Sequence, residues 1–230
     1  MRTYTTLFGA AWVAVTLAVQ DAPAQSTADV PTVAVMDFNG FMLGEAGNSV
    51  AIGKAMSAML VTEFSGRDGL NVLERQSLQS ILQEQRLALS GRVEESSAIE
   101  IGKILGVQYM FWGAVTSIPG QLRVDIRAVD VETSAVVTVL KKMEKPEALL
   151  DVVIWVADEF SAKLNLTPPA DRPEAPAIPV RATIELSRAV DYEDKGDTAK
   201  AMEHYQKALD IYPDLKDAQR ALDRLRGGDV

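Results

Sequence analysis

The stretch that most constrains this chain is residues 70–91, LNVLERQSLQSILQEQRLALSG. Asn71, Val72 and Leu73 read as a short apolar strand, Glu74 and Arg75 close it, and a helix opens at once. Leu78, Ile81, Leu82 and Leu89 repeat at helical spacing and form one apolar stripe, with Gln, Glu and Arg elsewhere. Gly91 suits the helix stop, because it takes a positive φ without a Cβ penalty. A strand that feeds straight into an amphipathic helix needs a sheet beside it and a core beneath it.

The flanking segments supply both. Residues 32–38, TVAVMDF, read as a buried strand, and 39–48, with three glycines, as a loop. Ile52, Ala55, Met56, Met59, Leu60 and Phe64 then form a core-facing helical stripe. After Gly91 a further helix is expected, with Ser97 and Glu100 at capping-box spacing and Ala98, Ile101 and Leu105 facing inward. Three strands follow at 108–118, 121–131 and 135–143, the first two joined by a tight Pro119-Gly120 turn. In the middle strand Leu122, Val124, Ile126 and Ala128 alternate with Arg123, Asp125 and Arg127, so one face is buried and the other polar. Residues 147–164 form the most hydrophobic helix after the N-terminal run. Leu150, Ile154 and Trp155 widen its stripe, which requires burial between layers or contact with another subunit. The fold class is therefore α/β: a mixed sheet of about five strands packed with helices.

Residues 165–180 hold five of the ten prolines and read as a semi-rigid linker. Beyond it the pattern is wholly helical, at 181–195, 198–212 and 215–226. The expected organisation is a signal peptide at 1–24, an α/β domain at 25–165, the linker at 166–180 and a small all-α module at 181–230.

The signal peptide rests on Arg2, the apolar run 7–19 and an A-x-A cleavage site at Ala22, Pro23 and Ala24. The run is short of the ~20 residues of a membrane helix, and no later stretch reaches that length. The alternative is retention as an N-terminal anchor. With no cysteine in the chain, disulfides, thiolate metal sites and lipoprotein acylation are excluded. A net charge of −9 without a basic stripe argues against nucleic acid. The expected address is the periplasm, with peripheral outer-membrane association open.

VAVMDFNG at 33–40, VLERQSLQSILQEQRLALSG at 72–91, EIGKILGVQYMFWGAVT at 100–116 and RVDIRAVDVETSAVV at 123–137 resemble, in order, the curli secretion-channel family of CsgG/HfaB-like proteins. That resemblance spans most of 31–160. It implies a periplasmic α/β domain that oligomerises in a ring at the outer membrane. The channel proteins are lipoproteins with long amphipathic hairpins that build a barrel. This chain has only Pro119-Gly120 at one insertion point and Pro146 close to the other, so pore formation is not carried over. Residues 182–215 resemble one tetratricopeptide repeat, through Tyr192, Gly196, Ala201, Tyr205, Ala208 and Pro213, with Ala189 at a further small position. The helix at 215–226 would cap it.

Chemistry is sparse. His204, the single histidine, permits no histidine-pair metal site and reads as a surface residue. Residues 47–55 resemble a phosphate loop, but they have one residue too many between the glycines and Ala55 where a hydroxyl belongs. Asp37, Glu74, Glu84, Asp125 and Asp130 are scattered carboxylates with no glycosidase-like spacing. No cofactor is expected.

The reading is a non-enzymatic scaffold or assembly protein whose partners are other envelope or secretion proteins, with homo-oligomerisation open. Its alternatives are a regulator of an envelope enzyme such as a peptidoglycan synthase and, more weakly, an enzyme with an unrecognised carboxylate pair. The candidate partner-binding residues are Glu74 and Arg75, which form a local ion pair or meet a neighbouring subunit, Trp155 on the broad helix, and Tyr192 and Tyr205 on the repeat, whose concave face would dock a peptide.

Overall fold

Val33, Ala34, Val35 and Met36 are all buried, on alternate sides of one strand, so this segment is covered on both faces. The computed structural model of the chain describes residues 30–40, 42–43, 49–50, 52–84, 95–118, 120–167 and 175–227. The signal segment 1–24 lies outside them, as do Leu89 and the Gly91 helix stop. The strands are β1 (Thr32–Val35), β2 (Met42–Leu43), β3 (Ser49–Val50), β4 (Asn71–Val72), β5 (Tyr109–Ile118), β6 (Gln121–Asp130) and β7 (Val136–Glu144). The helices are α1 (Gly53–Ser65), α2 (Arg75–Glu84), α3 (Glu95–Leu105), α4 (Leu149–Lys163), α5 (Val180–Asp194), α6 (Thr198–Ile211) and α7 (Lys216–Gly227).

The sheet order is β4-β1-β5-β6-β7, with β1 parallel to β4 and β5 and the remaining pairs antiparallel. The mixed five-stranded sheet expected from the sequence is thus present, and the fold is α/β. Between β5 and β6 stand only Pro119 and Gly120. Gly120 takes φ +74, the left-handed region that glycine enters freely.

One face of the sheet packs on α1 and α4. There Phe64, Phe111, Tyr109 and Phe160 meet with ring centroids 4.6–5.7 Å apart, Phe160 edge-on to the other three. Gly53 lets α1 begin against β1, because a Cβ there would stand 1.8 Å from the Phe38 carbonyl oxygen. On the opposite face Ala34, Met36, Met110 and Trp112 pack with Leu78 and Leu82 of α2 and Ala98 and Ile101 of α3. The cross-strand rows there are Trp112–Arg127–Val139, Ala114–Asp125–Lys141 and Thr116–Arg123–Met143.

Two local expectations are corrected. Residues 39–48 include part of a two-residue ribbon, β2 with β3, where only a loop was read. Two pairs are too short for an alternating pattern to show. Ser97 lies inside α3, which begins at Glu95, so it is no N-cap and the capping box is not formed at 97 and 100.

In the proline-rich segment, Ile178 is buried and its N–H donates to the Glu147 carbonyl, 3.0 Å away. From there α5 and α6 form an antiparallel hairpin. Ala189, Ala201 and Ala208 are fully buried where the helices cross, and Asp197 caps α6 through the Lys200 N–H. The apolar core is continuous from β1 through α1 and α4 into Leu186, Val190 and Tyr205 of this module.

The aromatic cluster predicts the cost of emptying it. Phe160→Ala should lose about 3–5 kcal/mol by urea unfolding, since Phe160 is fully buried against three other rings.

Candidate functional site

Asp37 follows β1 and Arg75 opens α2 directly after β4. Because β1 and β4 are parallel neighbours, both side chains reach the same carboxyl end of the sheet. Ligand sites of α/β sheets commonly occupy that position. Here the chain fills it itself. Lys54 and Ser57 approach from the first turns of α1, and Asp191 and Asp194 from the last turn of α5.

Arg75 organises the group. Its Nη1 donates to Asp37 Oδ1 and, at 2.9 Å, to Ser57 Oγ. Its Nη2 donates to both oxygens of Asp194, at 3.1 and 2.9 Å. Lys54 Nζ lies 2.5 Å from Asp194, 3.1 Å from Asp191 and 3.7 Å from Asp37. Three carboxylates and two cations thus tie β1, α1, α2 and α5 together. Burial pushes the Asp37 carboxyl up, but Arg75, Lys54 and Ser57 outweigh it and hold it below its ordinary value. For Lys54 and Arg75 burial acts downward, and the facing aspartates raise both above their ordinary values.

A second cluster adjoins the first. Tyr205 on α6 donates to Glu193 Oε2 at 2.6 Å, while Arg224 of α7 and Gln76 of α2 donate to Oε1 at 2.6 and 2.8 Å. These partners hold the Glu193 carboxyl below its ordinary value against the effect of burial, and burial with Glu193 beside it raises the Tyr205 phenol. A cleft of about 250 Å³ opens here, with Val61, Leu186 and Val190 on its floor. Just past the end of α1, Arg67 is buried and binds Ser161 and Asp158 of α4 and Glu63 of α1.

The sequence candidates are placed as follows. Arg75 does not pair with Glu74; its guanidinium is committed to Asp37, Ser57 and Asp194. The local ion pair is therefore corrected: the turn into α2 sends Arg75 inward and leaves Glu74 exposed on the cleft rim. Trp155 is half-buried against the main core, with Lys142 Nζ 5.3 Å from its ring centre. Tyr192 stacks on His204 at 5.2 Å and 11° between planes. His204 Nδ1 lies 2.6 Å from Glu185, so this histidine is half-buried and partnered, contrary to the surface reading. Tyr205 is 2 % exposed. α1 packs on α5 and touches α7, so that side of the helical module is occupied by the chain itself. Lys54, in the stretch set aside as a phosphate loop, serves the ion network.

Sequence reasoning missed Asp191 and Asp194, and treated Asp37 as scattered. Nothing local marks Asp37 and Asp194 as partners of Arg75, or Asp191 as a partner of Lys54; Arg75 lies more than a hundred positions from Asp194. Among the described residues no group of three or more His, Cys, Asp or Glu is placed to hold a metal.

Residues 14–121 match the family model described as curli production assembly/transport component CsgG. This part of the chain is similar to that family. The match ends at Gln121, so most of β6 and all of β7 lie beyond it. Among solved structures, the chain is similar to the LpoB C-terminal domain from Salmonella enterica, at 16% identity and TM-score 0.41, covering 50% of this chain and 83% of that one. It is also similar to lipoprotein GNA1162 from Neisseria meningitidis, at 12% identity and TM-score 0.39, covering 57% and 96%. A third likeness is the PelC dodecamer from Paraburkholderia phytofirmans, at 13% identity and TM-score 0.35, covering 60% and 89%. No curated protein matches. Among the described residues no helix is long and apolar enough to cross a membrane.

Two outcomes follow from the network. Arg75→Ala leaves Lys54 as the one cation facing Asp37 and Asp194 and should cost about 3 kcal/mol in urea unfolding. Arg75→Lys should recover only part, since an ammonium cannot bond both carboxylates as a planar fork does. Asp37, Asp191 and Glu193 all have lowered carboxyls. Their stabilisation is therefore complete above the ordinary carboxylate range and is lost as pH falls through the lowered native values. The thermal midpoint should hold between about pH 6 and 7 and fall steeply below about pH 4.

Proposed function

We propose that this chain is an exported, non-enzymatic scaffold or assembly protein of the cell envelope that works through protein–protein contacts and is not itself a barrel-forming pore. The observation that carries this reading is the CsgG-like match, to a family described as an assembly and transport component. The candidate site supports it. The ionised groups around Arg75 are spent on one another across four elements, which is what a rigid platform requires. The two-residue β5–β6 connection, and the passage from β7 through Lys145 into the 3₁₀ turn Pro146–Ala148, contain no membrane hairpin.

The C-terminal helices act, in this reading, as a tetratricopeptide-like unit held on the platform, with small residues at the α5–α6 crossing and α7 as its cap. Its free surface is the Tyr192–His204 side rather than the side facing α1. Glu74, Trp155 and Tyr192 remain proposed contact residues, while Arg75 and Tyr205 hold the platform together. Residues 1–24 are proposed as a cleaved signal peptide, and the mature protein as a periplasmic one.

Expression of the whole chain in a double-membraned bacterium tests this directly. N-terminal sequencing of the osmotic-shock fraction should read from Gln25, and native gels of envelope extracts should show the protein in a complex larger than itself. Retention in the cytoplasm, or a strict monomer in every fraction, would sink the reading. A co-purifying wall-synthesis enzyme whose rate rises with added protein would select the regulator alternative.

A further inference from the structure

Ile118, Val136, Val139 and Met143 are 36–54 % exposed, and all four lie on one face of the sheet. A register shift at Ala128/Val129 brings this about. Val136 pairs with Val129 and Thr138 with Ala128, so β7 carries one extra residue and Val136 and Val139 reach the same side. This is the face that α2 and α3 cover near β1 and β5, where α3 also reaches the Val129 end of β6; Arg123, Arg127, Val139, Lys141 and Met143 beyond it stay exposed. A groove of about 750 Å³ runs there, from Glu95 at the start of α3 to Val139 and Lys141 of β7.

The groove carries one net positive charge, Arg123, Arg127 and Lys141 against Glu95 and Asp125, on a chain whose net charge is −9. Asp125 is held by Arg123 at 2.7 and 2.9 Å, while Arg127 and Lys141 make no hydrogen bond or ion pair with a described residue. We propose that this open face of β6 and β7 is a docking surface for an amphipathic helix of another protein, one with carboxylates flanking its apolar stripe. It would add a further helix to the layer that α2 and α3 begin. A helix about 10 Å across spans about two strand spacings of 4.8 Å, which is the width left bare. Apolar side chains would cover Val139 and Met143, and the carboxylates would meet Arg127 and Lys141.

Other occupants fit less well. A strand added to the edge of β7 would meet Lys141 and Lys142, residues that discourage edge pairing. A second copy brings no suitable helix, because Ile104 is the one large apolar residue that a described helix exposes. Two such faces meeting each other would oppose like charges. The inference does not rest on the envelope assignment.

The test uses the whole chain and a fluorescein-labelled helical peptide of about twenty residues, on the order of 30 Å long, with leucines at i, i+3, i+4 and i+7 flanked by glutamates. Controls are the same peptide with lysines for glutamates, and phosphatidylglycerol vesicles. One helix laid across two strands makes a smaller contact than the ~800 Å² per partner of a stable complex, so a Kd on the order of tens of micromolar is expected. The affinity should fall as salt rises. Val139→Asp, and separately Arg127→Glu with Lys141→Glu, should each weaken binding about tenfold or more while leaving the circular dichroism spectrum unchanged. These positions are exposed, so the fold does not depend on them. Absence of binding, equal binding of the lysine peptide, or indifference to both variants overturns the proposal. So does binding of vesicles but not peptide, or self-association that Val139→Asp abolishes.

Discussion

The Arg75 guanidinium is the interaction on which the architecture turns. It sits where two parallel strands end side by side, bonds a carboxylate from one of them, and reaches across to the last turn of a helix encoded more than a hundred residues later. Its side chain is 13 % exposed and that of Asp194 12 %, so neither charge is well solvated and each depends on the other. Lys54 adds a second cation between the same carboxylates. The result fixes the helical module to the sheet in one register, which apolar contact between α1 and α5 would by itself specify less sharply. Charge pairs have direction; apolar packing has little.

The occupied carboxyl end has a functional consequence. A sheet of this class often keeps that crevice for a ligand, whereas here Asp194 enters it from the same chain. What would be a site becomes a joint. The surfaces left for partners are then the outer side of the helical module and the bare part of the sheet. The strongly alternating β6 makes the latter possible: Leu122, Val124, Ile126 and Ala128 face α4 and the core, so Arg123, Asp125 and Arg127 must face away.

Much of this was legible in the chain. The α1 stripe from Ile52 to Phe64 is buried residue for residue, the β6 alternation is as read, and Ile118 and Gln121 pair at the close of two ten-residue strands. These features follow from periods of 3.6 and 2, which are local. The ribbon at 42–43 and 49–50 and the true start of α3 were not legible, because short pairs and helix caps leave weak patterns. His204 was misread for a related reason: burial of a polar residue depends on partners, here Glu185 and Tyr192 on another helix.

The sequence by itself determined the α/β class, the helical tail, the absence of thiol chemistry and the CsgG-like resemblance, since each rests on periodicity, composition or ordered motifs. Only the tertiary structure decided that Arg75 turns inward to Asp37 and Asp194 while Glu74 stays out, that α1 occupies one side of the helical module, and that the exposed apolar residues of β5 and β7 share one face. The physical reason is the same in each case. A side chain's partner is set by which ends of which elements meet, and a register shift of one residue in β7 changes which face a valine shows.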